Sequence, residues 1–237
     1  MSAHTQLSQQ DQRKKEAGET AAQLVQDGMV VGLGTGSTAA FAVAALGRRV
    51  KQDGLRIVGI PTSERTTQQA NSLGIPLTSF AEHTQIDLTI DGADEVLPGS
   101  LYLIKGHGGA LLREKIVAAA SKRMVVVADD TKIVERLGQL VAVPVEVVPF
   151  GWEATAKKLR ELGGNPAMRV GADQKPFITD GGHYILNCAF GPMEDPKEIA
   201  HHLDHVVGLV EHGLFLKYAS EAVIAGRDGV TVLKKGG

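Results

Sequence analysis

Apolar runs that stop at a glycine or acidic turn and pass into helical periodicity recur along the first 130 residues, and this alternation is what most restricts the fold. The run MVVGLG at 29–34 breaks at a glycine turn, a helical pattern follows from Ser37 to Val50, and LRIVGI at 55–60 reads as the next strand. A strand that is apolar throughout must be covered on both faces, and helices between parallel strands provide that cover. The pattern opens with a helix around Leu7 to Gln26. It continues with a helix near Ser63 to Leu73, short strands at 75–80 (IPLTSF) and 86–91 (IDLTID), a strand at 100–105 (SLYLIK), a helix from Ala110 to Ser121 and a strand at 123–129 (RMVVVAD). The expected fold class is α/β, a Rossmann-like parallel sheet flanked by helices.

Beyond Val141 the order changes. VPVEVV, the helix WEATAKKLREL, AMRV, a hairpin over 177–190 (FITDGGHYILNCAF), the helix DPKEIAHHLDHV and LVEHGLF follow as β, α, β, β, α, β, the ferredoxin-like arrangement. A small ferredoxin-like α+β domain is therefore expected over 141–215. The tail AVIAGRDGVTVLKK reads as two short strands that return to the first sheet, so that 1–140 and 216–237 form one Rossmann-like domain.

Charge narrows the partners. The chain has 237 residues, with 25 basic and 27 acidic side chains and no dominant block of either sign, which gives no footprint for nucleic acid. No apolar run approaches the roughly 20 residues of a membrane helix. The single cysteine, Cys188, cannot form an intrachain disulfide, and the first nineteen residues show no signal-peptide core, so the cytoplasm is the expected location.

Three turns carry chemistry. GLGTGSTAA, Gly32 to Ala40, lies between a strand and a helix, where free N–H groups and the helix dipole favour an anion; glycines that merely make a tight turn are the alternative. It lacks the lysine of a nucleotide triphosphate loop. A dinucleotide fingerprint can be drawn through Gly34, Gly36 and Ala39, but the next strand ends in GIPTS without an acid for a ribose. DGADEV, Asp91 to Val96, places three acids after a strand, suited to sugar hydroxyls better than to a metal, or to capping a turn. KGHGGALLREK, Lys105 to Lys115, joins a lysine, a donor-rich turn and Glu114, whose helix neighbours Ala110, Leu111, Val117 and Ala118 are apolar. A desolvated carboxylate is a base near neutral pH and a lysine stabilises charge on oxygen; a surface glutamate between Arg113 and Lys115 is the bland alternative. All three turns are expected at the carboxyl ends of strands in one sheet, where α/β folds bind ligands. Together they describe a phosphorylated-sugar site for proton abstraction beside a carbonyl, with neither metal nor nucleotide required.

The three segments, in this order and at these separations, closely resemble the A-type ribose-5-phosphate isomerase family. The likeness extends through VADDTK, PVEVVP, ITDGGHYIL and the final DGVTVL. The resemblance implies a cofactor-free interconversion of ribose 5-phosphate and ribulose 5-phosphate in the pentose phosphate pathway, by a homodimer or homotetramer. It assigns the proton-shuttling base to Glu114, charge stabilisation to Lys105 and sugar-hydroxyl handling to Asp91 and Asp94, with Asp91 aiding ring opening. Thr35, Gly36, Ser37, Thr38 and Lys132 match substrate contacts, as do Gly92 and Ala93 between the acids and Gly106, His107 and Gly108 in the turn; Lys14 matches a further phosphate contact. His107 departs from the family's all-glycine turn, and an exposed ring is its expected place. Two other classes remain open: a sugar-phosphate sensor, against which the Glu114 and Lys105 pair speaks, and a dinucleotide-dependent dehydrogenase, against which the missing ribose acid speaks.

Overall fold

A computed structural model describes residues 7–236; positions 1–6 and 237, at the ends of the first expected domain, lie outside the described residues. Along the chain the elements are α1 (Gln9–Ala22), β1 (Val30–Leu33), α2 (Ser37–Gln52), β2 (Val58–Pro61), α3 (Glu64–Leu73), β3 (Leu88–Gly92), β4 (Glu95–Leu97), β5 (Tyr102–Ile104), α4 (Leu111–Ala119) and β6 (Met124–Asp129). Then follow β7 (Val143–Val147), α5 (Trp152–Glu161), β8 (Asn165–Met168), β9 (Tyr184–Ala189), α6 (Pro196–Leu203), β10 (Leu209–His212), β11 (Leu214–Phe215), β12 (Ala219–Gly226) and β13 (Gly229–Lys234).

The main sheet has the order β13-β12-β6-β3-β1-β2, in which five strands run parallel and β13 is an antiparallel edge. Alternate residues of β6 serve two cores. Val125 and Val127 pack with the helical layer of α1 and α2, while Met124, Val126 and Ala128 pack with Val96, Leu103 and Phe215. A strand with period-2 side chains and no polar face requires this double cover. On the second face the cover is a three-stranded sheet, β11-β5-β4, which the sequence reading did not anticipate.

The expected strand at 100–105 is therefore not in the main sheet; β5 pairs antiparallel with β4 and β11. The expected strand LVEHGLF is split between two sheets: β10 pairs with β7 and β11 with β5. The chain changes sheets at Gly213, whose N–H donates to the Pro144 carbonyl and whose carbonyl accepts from Lys105 N. IPLTSF forms only a bridge from Leu77 to Gly59. In the expected hairpin at 177–190 only the second arm is a strand, and β9 pairs with β7 and β8 instead. The second antiparallel sheet, β10-β7-β9-β8, has the ferredoxin-like order read from the sequence. The tail returns as expected, with β12 parallel to β6. No helix among the described residues is long and apolar enough to cross a membrane.

Candidate active site

β1 and β3 are neighbours, but their connections leave toward opposite edges of the main sheet: β2 lies beyond β1, and β6 beyond β3. Such a switch point opens a crevice at the carboxyl ends of the strands. The loop after β1 and the end of β3 face each other there, and a cleft of about 120 Å³ lies between them. Its wall contains Thr35, Gly36, Ser37 and Thr38 from the first loop, and Gly92, Ala93 and Asp94 from the second. Lys105, Gly106, Gly108 and Glu114 come from β5, its turn and α4; Lys132 follows β6, and Lys14 comes from α1.

Lys105, Asp91 and Glu114 form a buried cluster at the base of the cleft, with relative exposures of 1%, 0% and 3%. Lys105 Nζ lies 3.0 Å from Asp91 Oδ2 and 3.1 Å from Glu114 Oε1, and donates to the Gly92 carbonyl at 2.7 Å. Asp91 Oδ1 accepts from Thr35 N at 3.0 Å and Gly92 N at 2.8 Å. Asp91 Oδ2 sits within ion-pair distance of the ammonium but receives no well-directed hydrogen bond, and Glu114 Oε2 has no partner among the described residues. Gly34 admits this arrangement, since a Cβ there would stand 2.3 Å from Asp91 Oδ1.

Two carboxylates share one ammonium, so full ionisation leaves a surplus negative charge in a site almost closed to solvent. Burial pushes Glu114 up to about 8; the Lys105 charge opposes the shift and Asp91 adds to it. Burial also raises Asp91, against the pull of Lys105 and two backbone donors. Burial works against the Lys105 charge as well, but Asp91 and Glu114 together hold the ammonium above its usual range. Asp91 accepts from two backbone N–H groups where Glu114 accepts from Lys105 alone, so the Glu114 charge is the less supported of the two.

The end of the cleft at the α2 N-terminus is built differently. Gly36, at the N-cap position of α2, provides no side-chain cap, and this helix of 16 residues has no acid in its first turn, so its positive end is not neutralised. Lys14 and Lys132 line the same cleft. Thr35 Oγ1 is turned away from it, into a buried cluster with Thr62 at 2.7 Å, Ser63 at 2.8 Å and Thr66 at 3.1 Å. These hydroxyls occupy the end of β2, where a dinucleotide fold would place its ribose acid. The cluster ties the β1 loop to the N-terminus of α3, which Ser63 caps.

Of the residues singled out by sequence, Asp91 and His107 are outside the cleft wall. Asp91 lies behind Lys105, as described. The His107 ring is exposed and bonds to the Ala142 carbonyl at 2.9 Å, while its backbone N–H donates to Asp94 Oδ2 at 3.0 Å. Lys105 reaches the cleft from the three-stranded sheet, so only two of the three turns follow strands of the main sheet. Sequence reasoning missed Gln10, which lines the cleft and sits 3.5 Å from Asp129 Oδ2, and the hydroxyls of Thr62, Ser63 and Thr66. The hydroxyl run after β2 was the signal available for the latter; Gln10 has none. Among the described residues, no group of three or more histidine, cysteine or acidic side chains is placed to hold a metal.

The family description Ribose 5-phosphate isomerase A (phosphoriboisomerase A) matches residues 58–229. The chain is 57% identical over 220 residues to ribose-5-phosphate isomerase A of Gloeobacter violaceus, covering 93% of this chain and 95% of the relative. It is 52% identical over 229 residues to the protein of that name from a Synechococcus strain, covering 97% and 100%. Its fold is similar to a structure of D-ribose-5-phosphate isomerase in complex with phospho-erythronic acid, at a TM-score of 0.93 and 36% identity, covering 96% of this chain and 100% of that one. With the match spanning both the cleft and the ferredoxin-like sheet, the chain belongs to the ribose 5-phosphate isomerase A family.

Proposed function

We propose that the chain interconverts ribose 5-phosphate and ribulose 5-phosphate through an enediolate, with Glu114 as the base. The observation that carries this reading is the buried Glu114 carboxylate, its Oε2 unpartnered and its Oε1 3.1 Å from Lys105 Nζ, in a cleft whose other end is an uncapped helix N-terminus flanked by two lysines. Glu114 takes the proton from C2 of the open-chain aldose. The electrons move onto the carbonyl oxygen at C1, where Lys105 stabilises the charge. The proton returns to C1, and the hydroxyl proton of O2 passes to O1 as the C2 carbonyl forms. Asp94, on the cleft wall, meets sugar hydroxyls and takes over the ring-opening part expected of Asp91, which is enclosed behind Lys105. Asp91 acts through Lys105 and Thr35, which it holds, without touching the sugar. The loop from Thr35 to Thr38, with Lys14 and Lys132, receives the phosphate. A relative in complex with phospho-erythronic acid supports the enediolate, because a planar carboxylate resembles a planar enediolate in shape and charge. A homodimer or homotetramer, in the cytoplasm and without a cofactor, is part of the same proposal.

The test is incubation of purified, metal-stripped protein with ribose 5-phosphate in heavy water. Ribulose 5-phosphate should form, with deuterium entering the sugar carbon as the base exchanges its proton with solvent. Absence of the ketose, or activity that returns only with an added metal, would overturn the reading.

A further inference from the structure

Arg169 follows β8 of the ferredoxin-like sheet, far from the cleft motifs in sequence, yet its guanidinium reaches their glycine turn. Nη1 donates to the carbonyls of Gly106 at 3.0 Å and His107 at 3.2 Å. Nη2 donates to Asn187 Oδ1, on β9, at 2.6 Å. Arg169 N and O are themselves tied into the sheet, to Ile185 O and Phe177 N, and the Phe177 ring packs on the same turn so closely that a Cβ at Gly109 would stand 2.5 Å from it. The ferredoxin-like sheet thus grips the turn through a charged fork and an aromatic ring.

The grip has a directional consequence. In a trans peptide the carbonyl and the following N–H point in opposite directions. With the Gly106 carbonyl on Arg169, His107 N–H points the other way, and it meets Asp94 Oδ2 at 3.0 Å. With the His107 carbonyl also on Arg169, Gly108 N–H is likewise turned away from the guanidinium. Gly108 is on the cleft wall, Arg169 is not, and Gly108 N–H has no acceptor among the described residues.

We propose that Arg169 is a positioning residue: by holding the Gly106 and His107 carbonyls it aims the Gly108 N–H into the cleft as a donor for the developing enediolate oxygen and holds Asp94 through His107 N–H. This rests on the isomerase reading above. It gives the ferredoxin-like sheet a part in the chemistry of the main-sheet cleft. An arginine suits the task because its planar fork donates to two carbonyls and an amide at once, which an ammonium does with less fixed geometry.

The experiment measures kcat, KM and inhibition by inorganic phosphate and by phospho-erythronic acid for the full chain and for Arg169→Gln and Arg169→Lys. Removal of a whole oxyanion donor costs on the order of 10²–10³ in rate, so a misaimed donor in Arg169→Gln should lower kcat by about 10-fold or more. KM and phosphate inhibition should stay within about 2-fold, because the phosphate loop is untouched, while the phospho-erythronic acid Ki rises in step with the loss of kcat. Arg169→Lys should recover part of both. Unchanged kcat in folded Arg169→Gln overturns the proposal, as does a loss shared equally by kcat and phosphate inhibition, which marks a merely structural contact. If Arg169→Gln does not fold, Asn187→Ala, which frees Nη2 alone, should show the same split at about 3-fold or more, and its absence overturns the proposal. An inactive wild-type chain in the same assay defeats the isomerase reading itself; an active wild type with indifferent variants defeats only the role of Arg169.

Discussion

Glu114 Oε1 lies 3.1 Å from Lys105 Nζ, while Oε2 of the same carboxylate is buried without a partner among the described residues. The ammonium therefore orients the base through one oxygen and leaves the other free to accept a proton.

Glu114→Gln keeps the shape of the side chain and its contact with Lys105 but cannot accept the proton. Turnover should fall by roughly 10² to 10⁴ with substrate affinity retained. In the wild type, the acidic limb of kcat/KM should lie far above an ordinary glutamate, near the value of about 8 to which burial pushes Glu114, so that activity rises with pH through that region. Rate and affinity measured side by side decide the matter: a folded variant with near-normal turnover removes Glu114 from the role.

The same shift makes stability depend on pH in a defined direction. The folded chain binds the Glu114 proton more tightly than the unfolded one, whose glutamate has the ordinary value of 4.5. The stabilisation that protonation provides is complete below 4.5 and is lost as pH rises toward about 8. Thermal unfolding of the wild type should show this loss between those limits, and Glu114→Gln, which has no proton to lose, should flatten the profile there. Parallel profiles for the two proteins would contradict the assignment.

Lys105→Met removes the ammonium that lies between two buried carboxylates. Breaking a buried ion pair in this way costs about 3–5 kcal/mol, and the urea midpoint should fall accordingly. Adding Glu114→Gln to the Lys105→Met background should restore part of the stability and none of the activity, since it removes one unpaired charge along with the base. If Lys105→Met is as stable as the wild type, the cluster is not held by its charges.

Phosphate and sugar ends can be separated by two substitutions. Ser37→Ala, at the α2 N-terminus, should weaken ribose 5-phosphate and inorganic phosphate alike, by about the 0.5–1.5 kcal/mol of one hydrogen bond. Asp94→Asn should weaken the sugar phosphate and leave phosphate inhibition nearly intact. Titrations in which Asp94→Asn abolishes phosphate inhibition and Ser37→Ala spares it would reverse the placement of the substrate.

Much of the cleft was legible in the sequence because its parts are local. A glycine turn between β1 and α2, acids at the end of β3 and a lysine nine residues before Glu114 are patterns set by chain neighbours, strand period and helix period, and each of these segments reaches the cleft. The ferredoxin-like order of β7 to β10 was readable for the same reason. Tertiary structure decided which face and which sheet each segment joins. Strand periodicity marks β5 as a strand, but only its pairing with β4 and β11 takes Lys105 out of the main sheet and aims it across the cleft. Asp91 and Asp94 look alike in DGADEV, and burial alone separates them: Asp91 is fully enclosed beneath Lys105, and Asp94 stands on the wall. Arg169 had no local signal, since its function comes from hydrogen bonds to carbonyls 62 and 63 residues away. Periodicity and turn chemistry encode the direction of the chain over a few residues, whereas the burial that tunes a carboxylate and the grip that aims an amide arise from segments that meet only after folding.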